Sequence, residues 1–317
     1  MRVEDLDGPR TRREAVLGNL AELRWLGLDW DEGPDIGGKH APYLQSARGS
    51  AYAAAFERLR AAGRLFPCYL SRKDLAEAAS APHGAPSGTP FQARHSVGPG
   101  RVAQGGGGHG PADENVYGDA ERAMSAAVAQ AKAAAGAASS WRFAVTDEEV
   151  EFLDACAGPV RLASRRDVGH FVVRRSDGLW AYQLAVVVDD AAMGITEVVR
   201  GADLLASTGA QLALYGALGL RPPTFAHVGL LADEGGERLA KRRGSMTLHE
   251  LELAGVRPER VLGLLAATIG LLPAPAELGI GELRASFEPE RHGCAGTRLS
   301  PLWLAWLLER SGRHQGM

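Results

Sequence analysis

The stretch from Ser80 to Asn115 limits most firmly what this chain can fold into. It is rich in Gly, Pro, Ser and His and contains an unbroken glycine run, Gly105 to Gly108. Segments of that composition carry too little apolar surface to offset the entropy lost on ordering, so the stretch reads as a loop or disordered insert. A core must come from the residues on either side. The chain has 317 residues, of which 45% are hydrophobic and 23% charged. A length of that order supports roughly two or three domains.

The flanks supply patterned elements. In Thr11 to Leu28, the residues Val16, Leu17, Leu20, Leu23 and Leu26 recur at helical spacing, which predicts an amphipathic helix stopped at Gly27. Tyr52 to Leu65 reads as a second helix, with Ala61, Ala62 and Gly63 as its C-cap. The Ala-rich run Arg122 to Ala138 is a further helical candidate. From Trp141 the pattern turns strand-like. Phe171 to Arg175 and Ile195 to Val199 read as strands, whereas Leu184 to Val188 is too short an apolar run for periodicity to assign. Gln211 to Leu220 reads as helical. Beyond residue 244 the pattern is all helical: Pro258 opens a helix carrying Val261, Leu262, Leu264, Leu265 and Ile269, and Leu299 to Leu308 forms another. No internal repeat is visible.

The formal net charge of -3 excludes a polycation that coats nucleic acid with its whole surface, so any RNA contact falls to local basic patches. The opening RVEDLDGPRTRRE has no apolar signal region, and no run is long enough to span a membrane, which makes the cytoplasm the expected location. The three cysteines, Cys68, Cys156 and Cys294, are odd in number and far apart, so neither a disulfide framework nor a CxxC metal site is expected. His95 and His109 lie in or beside the Gly/Pro insert and read as solvated loop histidines rather than metal ligands.

One segment stands out chemically. RLAKRRG, Arg238 to Gly244, holds four cations in six residues and follows LADEGGE. Lys and Arg supply charge and forked donors to phosphate, and Gly lets the backbone approach closely. Such a loop can clamp a nucleotide phosphate as charge develops during transfer. A solvated basic face is the competing reading of the run alone. Three other segments weigh against it: RVEDLDGPR (Arg2 to Arg10), AYQLAVVVDDAAMGITEVVRGADLL (Ala181 to Leu205) and FAHVGLL (Phe225 to Leu231).

With these segments in this order, the chain resembles the class I glutamyl-tRNA synthetases and their shorter relatives, the glutamyl-Q tRNA(Asp) synthetases. RLAKRRG is similar to the family's KMSKS-type loop, with Arg238 for the first Lys, Ala240 for the Ser, and Lys241 at the second lysine position. RVEDLD resembles the family's R-I-E-D-x-D. The resemblance covers nearly all of the chain outside roughly residues 76 to 140. The wording AYQLAVVVDD and VVRGADLL, the segment FLDACAGPV (Phe152 to Val160) leading to DVGHFVVRRSDG, and the mere 70 or so residues after the basic loop favour the glutamyl-Q branch.

The resemblance implies an α/β fold: a Rossmann-like parallel sheet split by an inserted domain and followed by a small helical domain. The expected divisions are residues 1–66 and 170–236 for the two halves of the catalytic domain, 67–169 for an acceptor-type insert with its loop at about 80–115, and 237–317 for the KMSKS-type loop and helical domain. It also implies ATP-dependent activation of L-glutamate, with Mg²⁺ screening the phosphates, and transfer to the queuosine at the wobble position of tRNA(Asp). The competing readings are a truncated glutamyl-tRNA synthetase charging a tRNA 3′ end and a non-catalytic RNA-binding paralogue. A monomer is expected.

By motif, Glu4 would hold the substrate ammonium, Arg200 would fork to the side-chain carboxylate, and Tyr182 would add a hydrogen bond. Lys241 would be the catalytic cation, with Arg238 and Arg242 beside it on ATP. Taken without the motif, Glu4 and Asp7 could be helix-terminal carboxylates, Arg200 a surface ion pair, and Tyr182 core. Asp189 and Asp190 read as residues that shape the site rather than act in it.

Two features depart from the family pattern. The F-A-P-S-P-T/S-G strand and the H-x-G-H-type loop would precede RVEDLDGPR, yet Met1 abuts Arg2. A true start upstream of Met1 is the favoured expectation. The family's zinc pattern, C-x-C then Y-x-x-x-C, keeps Cys68 but has Leu70 at its second position, and Tyr117 is followed by Glu121 where the last Cys would stand. One thiolate and one carboxylate cannot close a tetrahedral site, so no structural zinc is expected.

Overall fold

The computed structural model describes residues 1–7, 13–71, 74, 117–236, 247–288, 294 and 296–309. The insert from Ser80 to Asn115, with His95 and His109, and the cations Arg238, Lys241 and Arg242 lie outside the described residues.

Helix α1 (Arg13–Trp25) is the expected amphipathic helix, and the chain turns out of it at Gly27 with φ of 81°. Helix α2 (Gly49–Ala61) begins three residues before the expected Tyr52 and ends where Gly63 adopts φ of 67°. Beyond it the chain runs into strand β1 (Leu65–Cys68). Helix α3 (Asp119–Ala134) follows. Strand β2 (Ser140–Phe143) then lies antiparallel between β1 and β5 (Phe171–Arg174), making a three-stranded sheet.

The larger sheet has the order β4-β3-β7-β6, built from β3 (Glu149–Asp154), β4 (Gly158–Ala163), β6 (Glu197–Gly201) and β7 (Thr224–Val228). β3 and β4 form an antiparallel hairpin, whereas β3–β7 and β6–β7 are parallel. A parallel pair needs a crossover, and α5 (Leu205–Leu218) supplies it between β6 and β7. The carboxyl ends of β6 and β7 therefore share one edge, the edge where open α/β sheets place ligands.

The ambiguous LAVVV run lies in a helix, α4 (Tyr182–Ala192). Leu184, Ala185, Val186 and Val187 are all buried, so this stretch of the helix is enclosed on every side. A helix enclosed by protein shows no periodic contrast between faces, which is why the sequence could not assign it. With Leu59, Phe143, Val173 and Leu214, α4 forms the main core between the helices and the sheets.

A second core gathers Leu26 just beyond α1, Leu251 of α6 (Leu248–Leu253), Val261, Leu262 and Leu264 of α7 (Pro258–Thr268), and Leu307 of α9 (Pro301–Leu308). Helix α8 (Ile280–Ser286) adds Leu283. The expectation of an all-helical ending is corrected at one place. β8 (Leu231–Ala232) pairs in parallel with β9 (Thr297–Arg298), a strand too short to give a periodic signal.

The cysteine expectation is corrected as well: Cys156 and Cys294 form a disulfide with Cα atoms 4.8 Å apart. Their 138-residue separation hides the pairing from any reading of local spacing.

Two stability predictions follow from packing. Leu214 is fully buried in the main core, so Leu214→Ala should cost about 2–5 kcal/mol in urea unfolding. Gly263 lies inside α7, where Ala is the better helix former by about 1 kcal/mol, but a Cβ there would collide with the Ala276 carbonyl oxygen. Gly263→Ala is therefore expected to lower stability by about 1–3 kcal/mol, and a gain in the same assay would contradict the packing described.

Candidate functional site

The site begins with backbone pairing. The Val3 amide donates to the Tyr43 carbonyl at 2.8 Å and the Gln45 amide to the Val3 carbonyl at 3.0 Å. In extended chain alternate side chains share a face, and Arg2 and Glu4 do so here. Arg2 donates through Nη1 to Asp190 Oδ1 at 2.6 Å and through Nη2 to Glu4 Oε1 at 3.0 Å. Burial works against the Arg2 cation, but Asp190 and Glu4 outweigh it and raise its pKa. Burial likewise pushes the Asp190 carboxyl up, and Arg2 opposes that. Glu4 remains 41% exposed, so its carboxylate can meet a ligand.

Asp189, next to Asp190 in the last turn of α4, is wholly buried. It accepts from Arg48 Nε at 2.5 Å, Gln45 Nε2 at 2.8 Å and the Tyr52 hydroxyl at 2.7 Å. The two aspartates thus hold the N-terminal segment and α2 against α4. Both are engaged with protein partners, in keeping with a shaping role.

Arg200 stands one residue before the end of β6, and the parallel register sets it beside His227 of β7. Its Nε donates to His227 Nε2 at 3.0 Å and its Nη2 to Thr208 Oγ1 at 2.6 Å. His227 Nδ1 meets Asp154 Oδ2 at 2.5 Å. Burial leads in lowering the His227 pKa, and the Arg200 charge adds to it. The Arg200 guanidinium also lies over the Phe225 ring, 5.3 Å from its centroid.

Tyr182 opens α4, and its phenol interacts with the Arg200 guanidinium. Burial, then the charge of Glu4, raise its pKa, so it stays a neutral phenol. Glu4, Tyr182 and Arg200, which lie up to 196 residues apart in the sequence, are thereby brought within electrostatic reach: Tyr182 feels both Glu4 and Arg200. An anion and a cation on either side of a phenol make an arrangement suited to a ligand with an ammonium and a distant carboxylate.

Sequence reasoning missed Asp154, Thr208 and His227. Asp154 and His227 lie within FLDACAGPV and FAHVGLL, but nothing in either segment signals that they meet. Lys241, Arg238 and Arg242 lie outside the described residues. The described chain reaches Gly236 and resumes at Thr247, whose hydroxyl caps α6 by accepting from the Glu250 amide at 3.1 Å.

The residues at the family's zinc position do not fit a metal. Cys68 donates to the Tyr117 hydroxyl at 3.3 Å, and that hydroxyl donates to the Glu121 carbonyl at 2.9 Å. The Glu121 carboxylate instead accepts from the Gly118 amide at 2.8 Å, closing the first turn of α3. Leu70 brings no donor. A thiol and a phenol already paired with each other fall short of the four donors a closed zinc site requires.

Comparison with known proteins shows the family. A model of the class I tRNA synthetases (E and Q), catalytic domain, matches residues 1–271. The chain is 46% identical over 291 residues to the glutamyl-Q tRNA(Asp) synthetase of Symbiobacterium thermophilum, covering 92% of this chain and 82% of that protein. It is 43% identical over 273 residues to the protein of the same name from Nitratidesulfovibrio vulgaris, covering 86% and 76%. Glutamate–tRNA ligase 1 of Halorhodospira halophila is 37% identical over 302 residues, covering 95% of this chain and 58% of that protein. A crystal structure of a glutamate tRNA ligase from Elizabethkingia meningosepticum, in complex with its amino acid, superposes with a TM-score of 0.70 at 20% identity. That match covers 96% of this chain, which spans 61% of the solved chain's length. From the matched catalytic-domain model and the level of identity to these relatives, the chain belongs to the class I tRNA synthetase family of the glutamate and glutamine type.

Proposed function

We propose that the chain activates L-glutamate with ATP and transfers it to the queuosine at the wobble position of tRNA(Asp). The observation that carries this reading is the convergence of Glu4, Tyr182 and Arg200 at the carboxyl edge of the parallel strands. Glu4 takes the ammonium. Arg200 takes the side-chain carboxylate, and Tyr182 helps hold it. Glutamine, with a neutral amide in place of the carboxylate, loses the charge-assisted pair with Arg200 and sets a donor against a cation.

The substrate α-carboxylate then attacks the α-phosphorus of ATP, and pyrophosphate leaves. Lys241 neutralises charge on the phosphates, Arg238 and Arg242 assist, and Mg²⁺ screens the departing group. In the second step a hydroxyl of the modified base attacks the glutamyl carbonyl, releasing AMP. A monomer working in the cytoplasm fits this role. The higher identity to the two proteins named glutamyl-Q tRNA(Asp) synthetase than to the glutamate–tRNA ligase supports the choice of acceptor.

ATP–pyrophosphate exchange tests the proposal. Exchange with glutamate in the absence of tRNA is expected. Exchange that requires tRNA would favour a glutamate–tRNA ligase instead, and no exchange under either condition would favour a non-catalytic RNA-binding protein. Lys241→Ala should reduce exchange by about 10²–10³-fold, the scale of losing one charge-stabilising donor. Arg200→Ala should raise the KM for glutamate about tenfold or more, as expected on losing a hydrogen bond between charged groups. It should also erase the preference over glutamine. Near-normal exchange in Lys241→Ala would remove the basic loop from the reaction.

A further inference from the structure

We infer that Asp154 and His227 are positioning residues that set glutamate-over-glutamine selectivity by fixing how Arg200 presents its guanidinium. The inference rests on the reading of Arg200 given above and extends it to two residues that would not touch the substrate.

The geometry fixes the protons. Arg200 has donors only, so His227 Nε2, which receives its Nε–H at 3.0 Å, must carry a lone pair. The remaining ring proton then sits on Nδ1 and points at Asp154 Oδ2, 2.5 Å away. The imidazole is therefore neutral, with its tautomer set by the hydrogen bonds at both nitrogens. The direction of its pKa shift, downward through burial, agrees.

Asp154 is held in turn. Its Oδ1 accepts from the backbone amides of Cys156 at 3.0 Å, Ala157 at 2.8 Å and His227 at 3.1 Å. Burial opposes its charge, but these amides and the His227 ring outweigh it and keep its pKa below the ordinary value. The side chains of Asp154 and His227 have no exposure. Neither can rearrange without leaving a buried polar group unmet.

The order of groups matters chemically. A carboxylate placed directly on Arg200 would compete with the substrate for its charge. A neutral imidazole in between aligns the guanidinium and leaves that charge for the ligand, while the Asp154 anion balances the burial of the cation from a distance. With Nε on His227 and one Nη2 hydrogen on Thr208, the Nη end is the part left to meet Tyr182 and a ligand. A carboxylate can accept a paired set of donors there, and an amide can do so only in part.

Two substitutions that differ by one methylene test this. His227→Asn keeps a donor for Asp154 but removes the acceptor for Arg200. His227→Gln places an acceptor near the Nε2 position. In glutamate-dependent exchange, His227→Asn should raise the KM for glutamate about tenfold and lower the glutamate-to-glutamine ratio, with the KM for ATP little changed. His227→Gln should recover most of the loss. In an Arg200→Ala background, His227→Asn should add no further change. Equal effects of Asn and Gln, no effect of either, or failure of both variants to fold, judged by circular dichroism, would assign the pair to the scaffold and overturn the inference. Arg200→Ala separates the two levels: if it leaves selectivity intact, the reading of Arg200 fails; if it abolishes selectivity while His227→Asn does not, only the present inference fails.

Discussion

A carboxylate with no access to water must be met by donors from the protein, and Asp189 imposes that requirement on the whole site. Arg48, Gln45 and Tyr52 answer it from the segment that leads into and forms α2, and Arg2 approaches at 3.9 Å from the N-terminal strand. Removing one donor would leave buried charge uncompensated, a loss of several kcal/mol in typical cases, roughly 3–5. The chain near residue 3, the start of α2 and the end of α4 are therefore tied to one point. Glu4 and Tyr182 owe their relative placement to that tie.

The same requirement recurs around Arg200 with a different result. Asp154 is satisfied by three amides and one imidazole, all from β3, its turn and β7. The imidazole passes the constraint to Arg200. One buried aspartate thus fixes where the ammonium would sit and another fixes where the carboxylate would. The parallel pairing of β6 with β7 makes the second arrangement possible, because it brings Arg200 level with His227 at the carboxyl edge.

Much of this was legible in the sequence. The helical spacing around Leu20 and the Pro at the start of α7 were read correctly, and the Rossmann-like α/β class followed from motif order. Glu4, Tyr182 and Arg200 could be proposed together because each lies inside a segment that resembles a family motif. What could not be read depends on contacts across long separations. Asp154 and His227 are 73 residues apart, and Cys156 and Cys294 are further apart still. LAVVV was ambiguous because five consecutive apolar residues, four of them buried, carry no polar position to mark a period. The start of β6 was placed two residues early, at Ile195 rather than Glu197, since a β-branched pair before a strand carries the same propensity as the strand itself.

The central claim is that Glu4 and Arg200, set around Tyr182, hold L-glutamate by its charges. The most direct measurement is a crystal structure of the chain with L-glutamate bound. The side-chain carboxylate is expected within hydrogen-bond distance of the Arg200 guanidinium and the Tyr182 hydroxyl, with the ammonium against Glu4 and His227 still accepting from Arg200. Glutamate bound away from this edge, or bound with its α-carboxylate on Arg200, would contradict the claim.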